Sequence, residues 1–556
     1  MKKIILSILI MLFVFLCLGT MNSTSPICDE VAHHLANGYS YVKTGDFRMN
    51  PSSPALSRSL IGLPMLFMGL KLPTDHVSWK ENDSPTFGRL FLYEYNDDPE
   101  KIVFWGRVPV MIQSVFLCLL IYAWGKRIYG TNAALFSVFL YLFSPAVLGN
   151  SCLAMTDISG SLFIFLSVYQ FWRYLKKKTI PTMILAGVCL GLAQSAKHTA
   201  VVLVPMFVIL GIIDAASSKN LRENLLQFTK DMIFICLAAF FALWATYFFE
   251  FKPLLLNAPD VGEKVQYIKK ALAFIPLLNK EHIAGWCIYF AKNVPIPLSS
   301  FLVSLLGVLH QGTIGQGVFF FGENITGGSR IYYVVDYLIK APLPILIFIA
   351  TAISLSIAKK KTKTDLITIS CMVLPIIVIF GFSSASKVQG GIRYLLPMYP
   401  FLFMWVGDII NVKFTANKKM FYRTILGVLC IWQLWIVMAA YPDYLCYFNE
   451  SVGGLDGTAN GITHDSDWGQ DLKALGRYVK ENDVEETVLT YFGTADPDLY
   501  GIKYRLMQPD EKETPRREVY AVSVRYITAA EWTKKYEPTA KAGYSIFIYD
   551  FRERSE

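Results

Sequence analysis

Long apolar segments recur along the chain, and they constrain the fold more than any other feature of the sequence. A helix needs about 20 mostly apolar residues to cross the hydrocarbon layer of a membrane. Because unpaired backbone polar groups are costly in lipid, we expect each such segment to be helical. Eleven segments qualify, of which the fourth and fifth are short: 4–21, 104–124, 131–148, 158–172, 180–196, 199–214, 231–250, 337–357, 365–382, 394–411 and 423–441.

The composition favours a membrane protein over a soluble one. Hydrophobic residues make up 54% of the chain and charged residues 17%, whereas about one quarter of the residues are charged in a soluble globular protein. The net charge of +9 is compatible with nucleic acid binding. The lysines and arginines, however, occur in short runs between apolar segments. This distribution is typical of membrane orientation, so we expect membrane lipids, and no nucleic acid, among the partners.

The basic runs also predict an orientation. With the N-terminus in the cytoplasm, every even-numbered span ends in a basic cluster on the cytoplasmic side, as the positive-inside rule requires. The predicted localisation is the plasma (cytoplasmic or inner) membrane, crossed several times. Three long segments, 22–103, 251–336 and 442–556, then lie outside the cytoplasm.

The first apolar segment has two interpretations. Two lysines followed by an apolar stretch are also typical of a cleavable signal peptide, although no A-x-A cleavage site is evident. We favour an uncleaved first span. The orientation rule does not separate the two interpretations, because cleavage leaves the remaining topology unchanged.

The last part of the chain predicts a small extracytoplasmic α/β domain at 443–556, distinct from a transmembrane domain at 1–442. The stretch "DLKALGRYVKEN" is helical, with Leu472, Leu475 and Val479 on one face. The stretches "TVLTYFG", "EVYAVSVRY" and "YSIFIYDF" are rich in β-branched and aromatic residues and predict strands. We expect "PDLYGIKYRL" and "AAEWTKKY" to be intervening helices.

Acidic residues at the edge of the membrane are the first candidate site residues, because ionisable groups there are costly and often functional. Asp29 and Glu30 open a stretch that predicts an amphipathic helix on the outer surface, ending at Gly45. A helix N-cap is the structural alternative for Asp29, and a metal shared with His33 is a weaker one. Asp157, in "TDISGS", has a helix cap as its alternative.

Cations and tyrosines gather in three further stretches that lie near the outer edge. Cations suit a phosphate. The structural alternatives are a Lys197 side chain that snorkels to the lipid headgroups and an interfacial aromatic belt with basic anchors. Lys387 and Arg393 lie on the outer side, so attraction to the cytoplasmic leaflet does not explain them, whereas a bound anion does. The candidates are Lys197 and His198; Arg330, Tyr333 and Lys340; and Lys387, Arg393 and Tyr394.

These stretches together resemble the polyprenyl-phosphate-sugar-dependent glycosyltransferases of the GT-C fold, which include the dolichyl-phosphate-mannose–protein mannosyltransferases and the aminoarabinose transferases that modify lipid A. "DEVAHHLANGYSYVKTGDFRMNPSSPAL" is similar to their opening loop and "SPAVLGNSCLAMTDISGSLFIF" to their second acidic loop. "GLAQSAKHTAVVLVP", "FFGENITGGSRIYYVVDYLIKAPLP" and "IRYLLPMYPFLF" resemble later segments. "YFNESVGGLDGTANGITHDSDWGQDLKALGRYV" is similar to a long motif of bacterial members. The resemblance covers positions 29 to about 480, in order.

The resemblance implies a fold class and a reaction. The fold is a polytopic α-helical membrane protein, GT-C-like with about 11 transmembrane helices, followed by the C-terminal extracytoplasmic α/β domain. The reaction is the transfer of a monosaccharide from a polyprenyl-phosphate donor to a hydroxyl of a protein, lipid or glycan acceptor, outside the membrane. An inverting hexosyl- or pentosyltransferase, similar to the mannosyltransferases and without a cofactor or a metal, is implied. The scattered cysteines likewise predict no metal site and no disulfide framework.

The resemblance also implies roles for individual residues. Asp29 is the expected catalytic carboxylate, Glu30 assists it, and Asp157 orients a substrate. The family's Pro-Pro-Leu is "SPAL" here, and the basic residue that some members carry before it is absent unless Arg48 or Arg58 replaces it. The expected substrate-binding residues are His33, Arg58, Lys197, His198, Arg330, Tyr333, Lys340, Lys387, Arg393 and Tyr394.

Two other classes of protein fit part of the pattern. A transporter or flippase of a lipid-linked sugar needs charged or discontinuous helices near the bilayer midplane, often in inverted repeats. The ionisable residues found here lie at the outer edge, and the sequence shows no repeat, which favours the transferase. A receptor or structural role for the outer domain does not require so many spans.

Overall fold

Helices make up most of the molecule, and the strands concentrate near the C-terminus. The computed structural model describes residues 1–49, 52–217, 220–254, 286, 289–358, 364–412, 416–459, 461–463 and 465–553. Part of the predicted outer segment 251–336, namely 255–285 and 287–288, therefore lies outside the described residues. The longer helices are Lys2–Ser23, Leu35–Thr44, Ala55–Gly62, Ser84–Tyr93, Pro99–Tyr129, Thr131–Leu142, Pro145–Ser151, Asp157–Lys176, Ile180–Ala196, Leu203–Ala216, Leu221–Thr246, Ser299–Ile314, Tyr332–Lys340, Leu343–Ile357, Leu366–Ala385, Tyr399–Gly407, Ala416–Ala439 and Leu472–Glu481.

Each of the eleven predicted segments contains helix, but fewer are membrane spans by length and composition. The described residues hold six helices that are long and apolar enough, or eight if each bent pair counts as one span. The two pairs bend by 64° before Pro145 and by 114° at Pro342. Proline removes a backbone donor and clashes with the preceding turn, so a helix breaks there. This count covers only the described residues and is lower than the predicted number of about eleven, while the multi-pass membrane class is confirmed.

The first helix packs one face against the rest of the helical core. Phe13, Leu16 and Cys17 are buried, whereas Phe15 on the opposite face is exposed. An apolar residue that is exposed on a spanning helix has lipid as its natural environment. This packing favours an integral first span.

The stretch after Asp29 folds as predicted but is more buried than expected. A π-helical turn, Glu30–His34, leads into the helix Leu35–Thr44, which ends at Gly45 with a left-handed φ of 69°, a common helix stop. The helix does not lie on an outer surface, because it crosses Ala55–Gly62 in close contact. A Cβ on Gly62 would lie 2.3 Å from the backbone oxygen of Gly38, so the crossing requires glycine at this point.

The strands of the described residues are Phe251–Pro253 (β1), Pro295–Pro297 (β2), Gly317–Phe320 (β3), Glu323–Thr326 (β4), Thr487–Thr490 (β5), Tyr504–Leu506 (β6), Val519–Ser523 (β7), Ala540–Ala542 (β8) and Ile546–Asp550 (β9). They form three small sheets. Two are antiparallel pairs, β1 with β2 and β3 with β4, and the third is a five-stranded mixed sheet of order β6-β5-β7-β9-β8. In this sheet β5 is parallel to β6 and β7, whereas β9 is antiparallel to β7 and β8.

The C-terminal α/β prediction is largely confirmed at the level of elements. The helix Leu472–Glu481 and the strands β5, β7 and β9 lie where the patterns placed them. Two predicted helices are wrong. "PDLYGIKYRL" is a single 3₁₀ turn followed by β6, because Gly501 adopts φ 70° and ends the turn. "AAEWTKKY" contains only the 3₁₀ turn Glu531–Lys534, whose Trp532 is buried against the sheet. The boundary near 442 stays a prediction, since Tyr444 still packs in the helical core.

Candidate active site

Asp29 lies at the end of the first outer connection and is paired with a residue far away in sequence. Its Oδ2 accepts a hydrogen bond from Nη1 of Arg393 at 3.0 Å, across 364 positions. The Asp29 side chain makes no capping bond to the following turn, so the N-cap alternative is wrong. Both side chains are largely buried, which makes the pairing stronger than one at a fully exposed surface.

The charge of Asp29 is set by competing effects. Burial raises the pKa of the carboxyl, but the opposite charge and hydrogen bond of Arg393, with smaller contributions from His34 and His33, outweigh it and hold the pKa at about 2. Asp29 is therefore an ionised acceptor at neutral pH. While Arg393 stays in place, it is also a weak base, because a base is most effective when its pKa is near the working pH.

Glu30 belongs to a second, fully buried ion pair. Nε and Nη2 of Arg107 donate to its two oxygens at 2.8 and 2.7 Å. The backbone N–H groups of Ile27 and Ala154 donate to the same carboxylate at 2.9 and 2.7 Å, and Arg107 also donates to three backbone carbonyls in 21–25. Glu30 thus ties together the segments that carry Asp29 and Asp157. This geometry supports a positioning role, and assistance in the chemistry stays a prediction.

Arg107 was not predicted as a site residue. It lies within an apolar segment, on the helix Pro99–Tyr129, and its side chain is fully buried. An ionisable residue inside an apolar helix is costly unless it is paired. An arginine inside an apolar segment was therefore the feature of the sequence that could have identified Arg107 as a site residue, although it did not reveal Glu30 as the partner.

Asp157 and Lys197 form a third pair, 40 positions apart. Nζ of Lys197 donates to Oδ1 of Asp157 at 2.5 Å, and both side chains are nearly inaccessible to solvent. Asp157 is the first residue of its helix, as the capping alternative required, but its side chain bonds Lys197. The Lys197 side chain is buried, so the snorkelling alternative is wrong. Nζ of Lys197 lies 5.0 Å from the ring centroid of Tyr394, and Cζ of Arg393 lies 5.6 Å from the same ring. Tyr394 therefore joins this pair to the Asp29 pair.

A cleft opens beside these pairs and carries two cations. Nζ of Lys340 donates to the Leu445 carbonyl at 3.0 Å, and Arg393 lines the same cleft. Asp465, also in the lining, accepts from the Ile392 N–H at 2.9 Å, and burial raises its pKa against the opposing effects of Lys340 and this hydrogen bond. The rest of the lining is mostly apolar or aromatic: Ile27, Pro145, Ala146, Asn150, Leu153, Met155, Ile392, Tyr444, Leu445, Tyr447 and Trp468. Cations at the edge of an apolar cleft suit a lipid phosphate.

Trp468 contacts Arg393 and the residue before Asp29, and the sequence did not predict it as a site residue. Its ring centroid lies 4.1 Å from Cζ of Arg393. Its carbonyl accepts the backbone N–H of Cys28, the residue before Asp29, at 3.1 Å. The length of the "DSDWGQDL" motif was the signal that could have identified it.

Some of the remaining predicted residues are buried or half-buried and contact neighbouring side chains or backbone, and others are exposed to solvent. Arg58 donates to Nδ1 of His34 at 3.3 Å, and burial, followed by the charge of Arg58, lowers the pKa of His34. Tyr333 is buried and accepts from the Gly390 N–H at 3.4 Å. His33 lies 3.5 Å from the Ser84 hydroxyl, and His198 lies 2.5 Å from the Ser304 hydroxyl. Arg330 and Lys387 are exposed, and neither belongs to the described lining of the cleft.

Known proteins with similar sequences or folds agree with this architecture. The family model of dolichyl-phosphate-mannose-protein mannosyltransferases matches residues 102–249. The S. cerevisiae protein O-mannosyltransferase Pmt1-Pmt2 complex, solved with its sugar donor, aligns with a TM-score of 0.51 at 10% identity, over 79% of this chain and 90% of that chain. No curated protein sequence matches the chain.

Two further solved structures resemble the chain at lower TM-scores. ArnT from Cupriavidus metallidurans, bound to undecaprenyl phosphate, aligns at 10% identity with a TM-score of 0.46, over 98% of this chain and 97% of that chain. The archaeal oligosaccharyltransferase AglB from Archaeoglobus fulgidus, in complex with an inhibitory peptide and a dolichol-phosphate, aligns at 14% identity with a TM-score of 0.44, over 86% of this chain and 58% of that chain.

The chain has a GT-C-like fold, as the motifs predicted. Its segment 102–249 is similar to the dolichyl-phosphate-mannose-protein mannosyltransferases. This segment contains the Asp157–Lys197 pair and Arg107, the partner of Glu30, so it contributes to two of the three ion pairs of the site.

Proposed function

We propose that this protein transfers a single sugar from a polyprenyl-phosphate donor to an acceptor hydroxyl, at the outer face of the plasma membrane. The observation that carries the proposal is the Asp29–Arg393 pair beside a cleft that also contains Lys340. This arrangement places a carboxylate, two cations and an apolar lining in one site. A lipid phosphate, a sugar and a hydroxyl nucleophile need these groups together.

The proposed step is a direct displacement with inversion at the anomeric carbon. Asp29 accepts the proton of the acceptor hydroxyl, and the hydroxyl oxygen forms the new bond to the anomeric carbon. The bond from carbon to the phosphate oxygen breaks, and its electron pair leaves with the phosphate. Polyprenyl monophosphate thereby gains a negative charge, which Arg393 and Lys340 stabilise. Mannose is the sugar we propose, in keeping with the family model that matches 102–249.

The donor phosphate also activates Asp29 in this proposal. Arg393 Nη2 has no hydrogen-bond partner within the described part of the chain, while its Nε and Nη1 donate to Gly390 and Asp29. A phosphate that binds Arg393 draws its charge away from Asp29. Because Arg393 is the main group that lowers the pKa of Asp29, the carboxylate becomes a stronger base only when the donor is bound.

Substitution of Asp29 by Asn tests the proposal. We expect Asp29→Asn to insert and fold but to lose about 10²–10⁴-fold in transfer of labelled mannose from polyprenyl-phosphate mannose in isolated membranes, as is typical when a general base is removed. Asp46→Asn is a matched control, because Asp46 has the same side-chain exposure, 23%, and also pairs with an arginine, Arg48. Wild-type transfer by Asp29→Asn would sink the proposal.

Donor consumption separates transfer from transport. A transferase converts the donor to polyprenyl monophosphate, whereas a flippase moves intact donor across a liposome membrane without breaking the sugar–phosphate bond. We propose that no metal is needed, so the rate is expected to be unchanged by EDTA. Transbilayer movement of intact donor with no release of monophosphate would favour the flippase.

A further inference from the structure

Trp468 lies beside the Asp29–Arg393 pair on which the proposed reaction depends. Its indole ring lies 4.1 Å from Cζ of Arg393, and its backbone oxygen holds the N–H of Cys28, next to Asp29, at 3.1 Å. Trp468 also lines the cleft. One residue therefore contacts the arginine side chain, the aspartate loop and the proposed donor site.

The surrounding turn fixes the orientation of this ring. Nε1 of Trp468 donates to the Asp465 carbonyl at 3.2 Å, and its backbone N–H donates to Oε1 of Gln470 at 2.9 Å. Nε2 of Gln470 donates in turn to the Ser466 carbonyl at 2.8 Å. Gly469 closes the turn with φ 88°, where a side chain is disfavoured. The Nε1 bond restrains the ring and the other bonds restrain the turn that carries it, so the ring presents one face to Arg393.

The same segment also holds the backbone that precedes Arg393. The Asp465 carboxylate accepts the Ile392 N–H at 2.9 Å. A Cβ on Gly391 would lie within 1.8 Å of that carboxylate, so the approach depends on glycine. Asp465 therefore restrains the arginine through its backbone, while Trp468 restrains it through its side chain.

We propose that Trp468 is a positioning residue for the donor phosphate: its indole face holds the Arg393 guanidinium at the mouth of the cleft, within reach of both Asp29 and the phosphate. The inference rests on the proposed function. A guanidinium over an aromatic face is stabilised without using any of its N–H donors. Nη1 and Nη2 consequently remain available for the carboxylate and for an anionic ligand.

A cation–π contact and a general packing role predict different behaviour in a double-mutant cycle. Undecaprenyl phosphate serves as the probe, because it carries the phosphate and the polyprenyl chain without the sugar. Its Kd is measured with the full-length protein in nanodiscs, for Trp468→Leu, Trp468→Phe, Arg393→Gln and the double variant Trp468→Leu/Arg393→Gln. Trp468→Met replaces Trp468→Leu if the latter does not fold.

We expect Trp468→Leu to weaken binding about 3- to 30-fold, the range of a partly or fully desolvated cation–π contact, and Trp468→Phe to bind within about threefold of wild type because it keeps an aromatic face. In the Arg393→Gln background, Trp468→Leu should cause no further loss. Tyr447→Leu is the control, because Tyr447 lines the same cleft and its effect should persist in that background.

Three results would overturn the inference. Unchanged binding by Trp468→Leu would show that the ring is not needed. Losses that multiply in the double variant would show that Trp468 acts independently of Arg393, which removes the inference and leaves the proposed function in place. Failure of the wild-type protein to bind undecaprenyl phosphate would remove the donor assignment and the inference with it.

Discussion

At the scale of single residues, the site depends on charges that are buried in pairs. Glu30 and Arg107 have fully buried side chains and make up one such pair. Removing one charge from a buried pair is costly, because the remaining charge loses both its water and its counter-ion. Removing one charge of this pair destabilises the segment that carries Asp29, so the stability of the protein and the activity of the site are linked.

Glu30→Gln is expected to destabilise the protein by about 3–5 kcal/mol, because Arg107 is left buried without a counter-charge. Thermal unfolding of the purified protein in detergent measures this change. Glu100→Gln is the control, because Glu100 pairs with Lys473 but its side chain is 45% exposed, and an exposed pair contributes less than about 1 kcal/mol. Equal effects of the two substitutions would contradict the structural role of Glu30.

The Asp29–Arg393 pair predicts a pH dependence. The pKa of Asp29 is lowered from its ordinary value of 3.8 to about 2 in the folded protein. A depressed pKa gives a stabilisation that is complete above the unfolded value and is lost as the pH falls through the folded value. The unfolding temperature of the wild type should therefore exceed that of Asp29→Asn at pH 5, and the difference should shrink towards pH 2. A difference that stays constant over this range would be inconsistent with the pairing.

At the scale of elements, close helix crossings hold the first outer segment in place. Leu35–Thr44 crosses Ala55–Gly62 where Gly38 meets the backbone of Arg58. The crossing also brings Arg58 to His34. A helix that is buried on nearly all sides leaves no room for additional atoms.

Gly38→Ala is expected to destabilise the protein by about 1–3 kcal/mol through overpacking, because its Cβ would lie 2.2 Å from the Arg58 carbonyl oxygen. Gly307→Ala is the matched control. Gly307 is also helical, but no heavy atom lies within 4 Å of its added Cβ, so alanine should be neutral or stabilise the helix by up to about 1 kcal/mol. The unfolding temperatures of both variants test this expectation. Similar changes in unfolding temperature would show that the helix crossing tolerates a methyl group.

Local patterns predicted most elements correctly and failed where distant contacts decide. The strands β5, β7 and β9 are hydrophobic runs that sit in the middle of a sheet, and such runs are visible in the sequence. Tyr504–Leu506 lies in a stretch predicted to be helical, but it pairs with β5 as a strand. That pairing depends on a neighbour from elsewhere in the chain, which local propensity does not encode.

At the scale of the whole molecule, the C-terminal part is built into the site. The Ser25 N–H donates to the Gln470 carbonyl at 3.0 Å, and the Leu472 N–H donates to the Ser25 hydroxyl at 3.2 Å. The Thr494 hydroxyl donates to the Cys28 carbonyl at 3.3 Å. These contacts bind the loop of Asp29 to residues that lie more than four hundred positions later.

A chain that ends after residue 442 is expected to lose undecaprenyl phosphate binding and transfer, because Asp465 and Trp468 are removed from the cleft. Size-exclusion chromatography of the detergent extract first establishes that the truncated helices have inserted and stay monodisperse. Binding and mannose transfer are then measured in nanodiscs. A monodisperse truncated protein that keeps both would show that the C-terminal part is dispensable.

The sequence by itself determined the class of protein and most of its candidate residues. Apolar segments, basic clusters and strand patterns are local properties, because hydrophobic transfer and backbone pairing act on neighbouring residues. They predicted a helical membrane protein, an α/β C-terminal part and the set of polar residues at the outer edge. They did not show that the N-cap alternative for Asp29 was wrong, since capping chemistry and catalysis use the same residue type.

Only the tertiary structure decided which charges meet. Asp29 pairs with Arg393 across 364 positions, Glu30 with Arg107 across 77, and Asp157 with Lys197 across 40. A charge in a largely apolar interior must find a partner, but the sequence does not state which one, because the choice depends on how the helices pack. The same packing places Trp468 over Arg393 and leaves Arg330 and Lys387 exposed. Electrostatic interactions depend on distance in space, and the fold alone sets that distance.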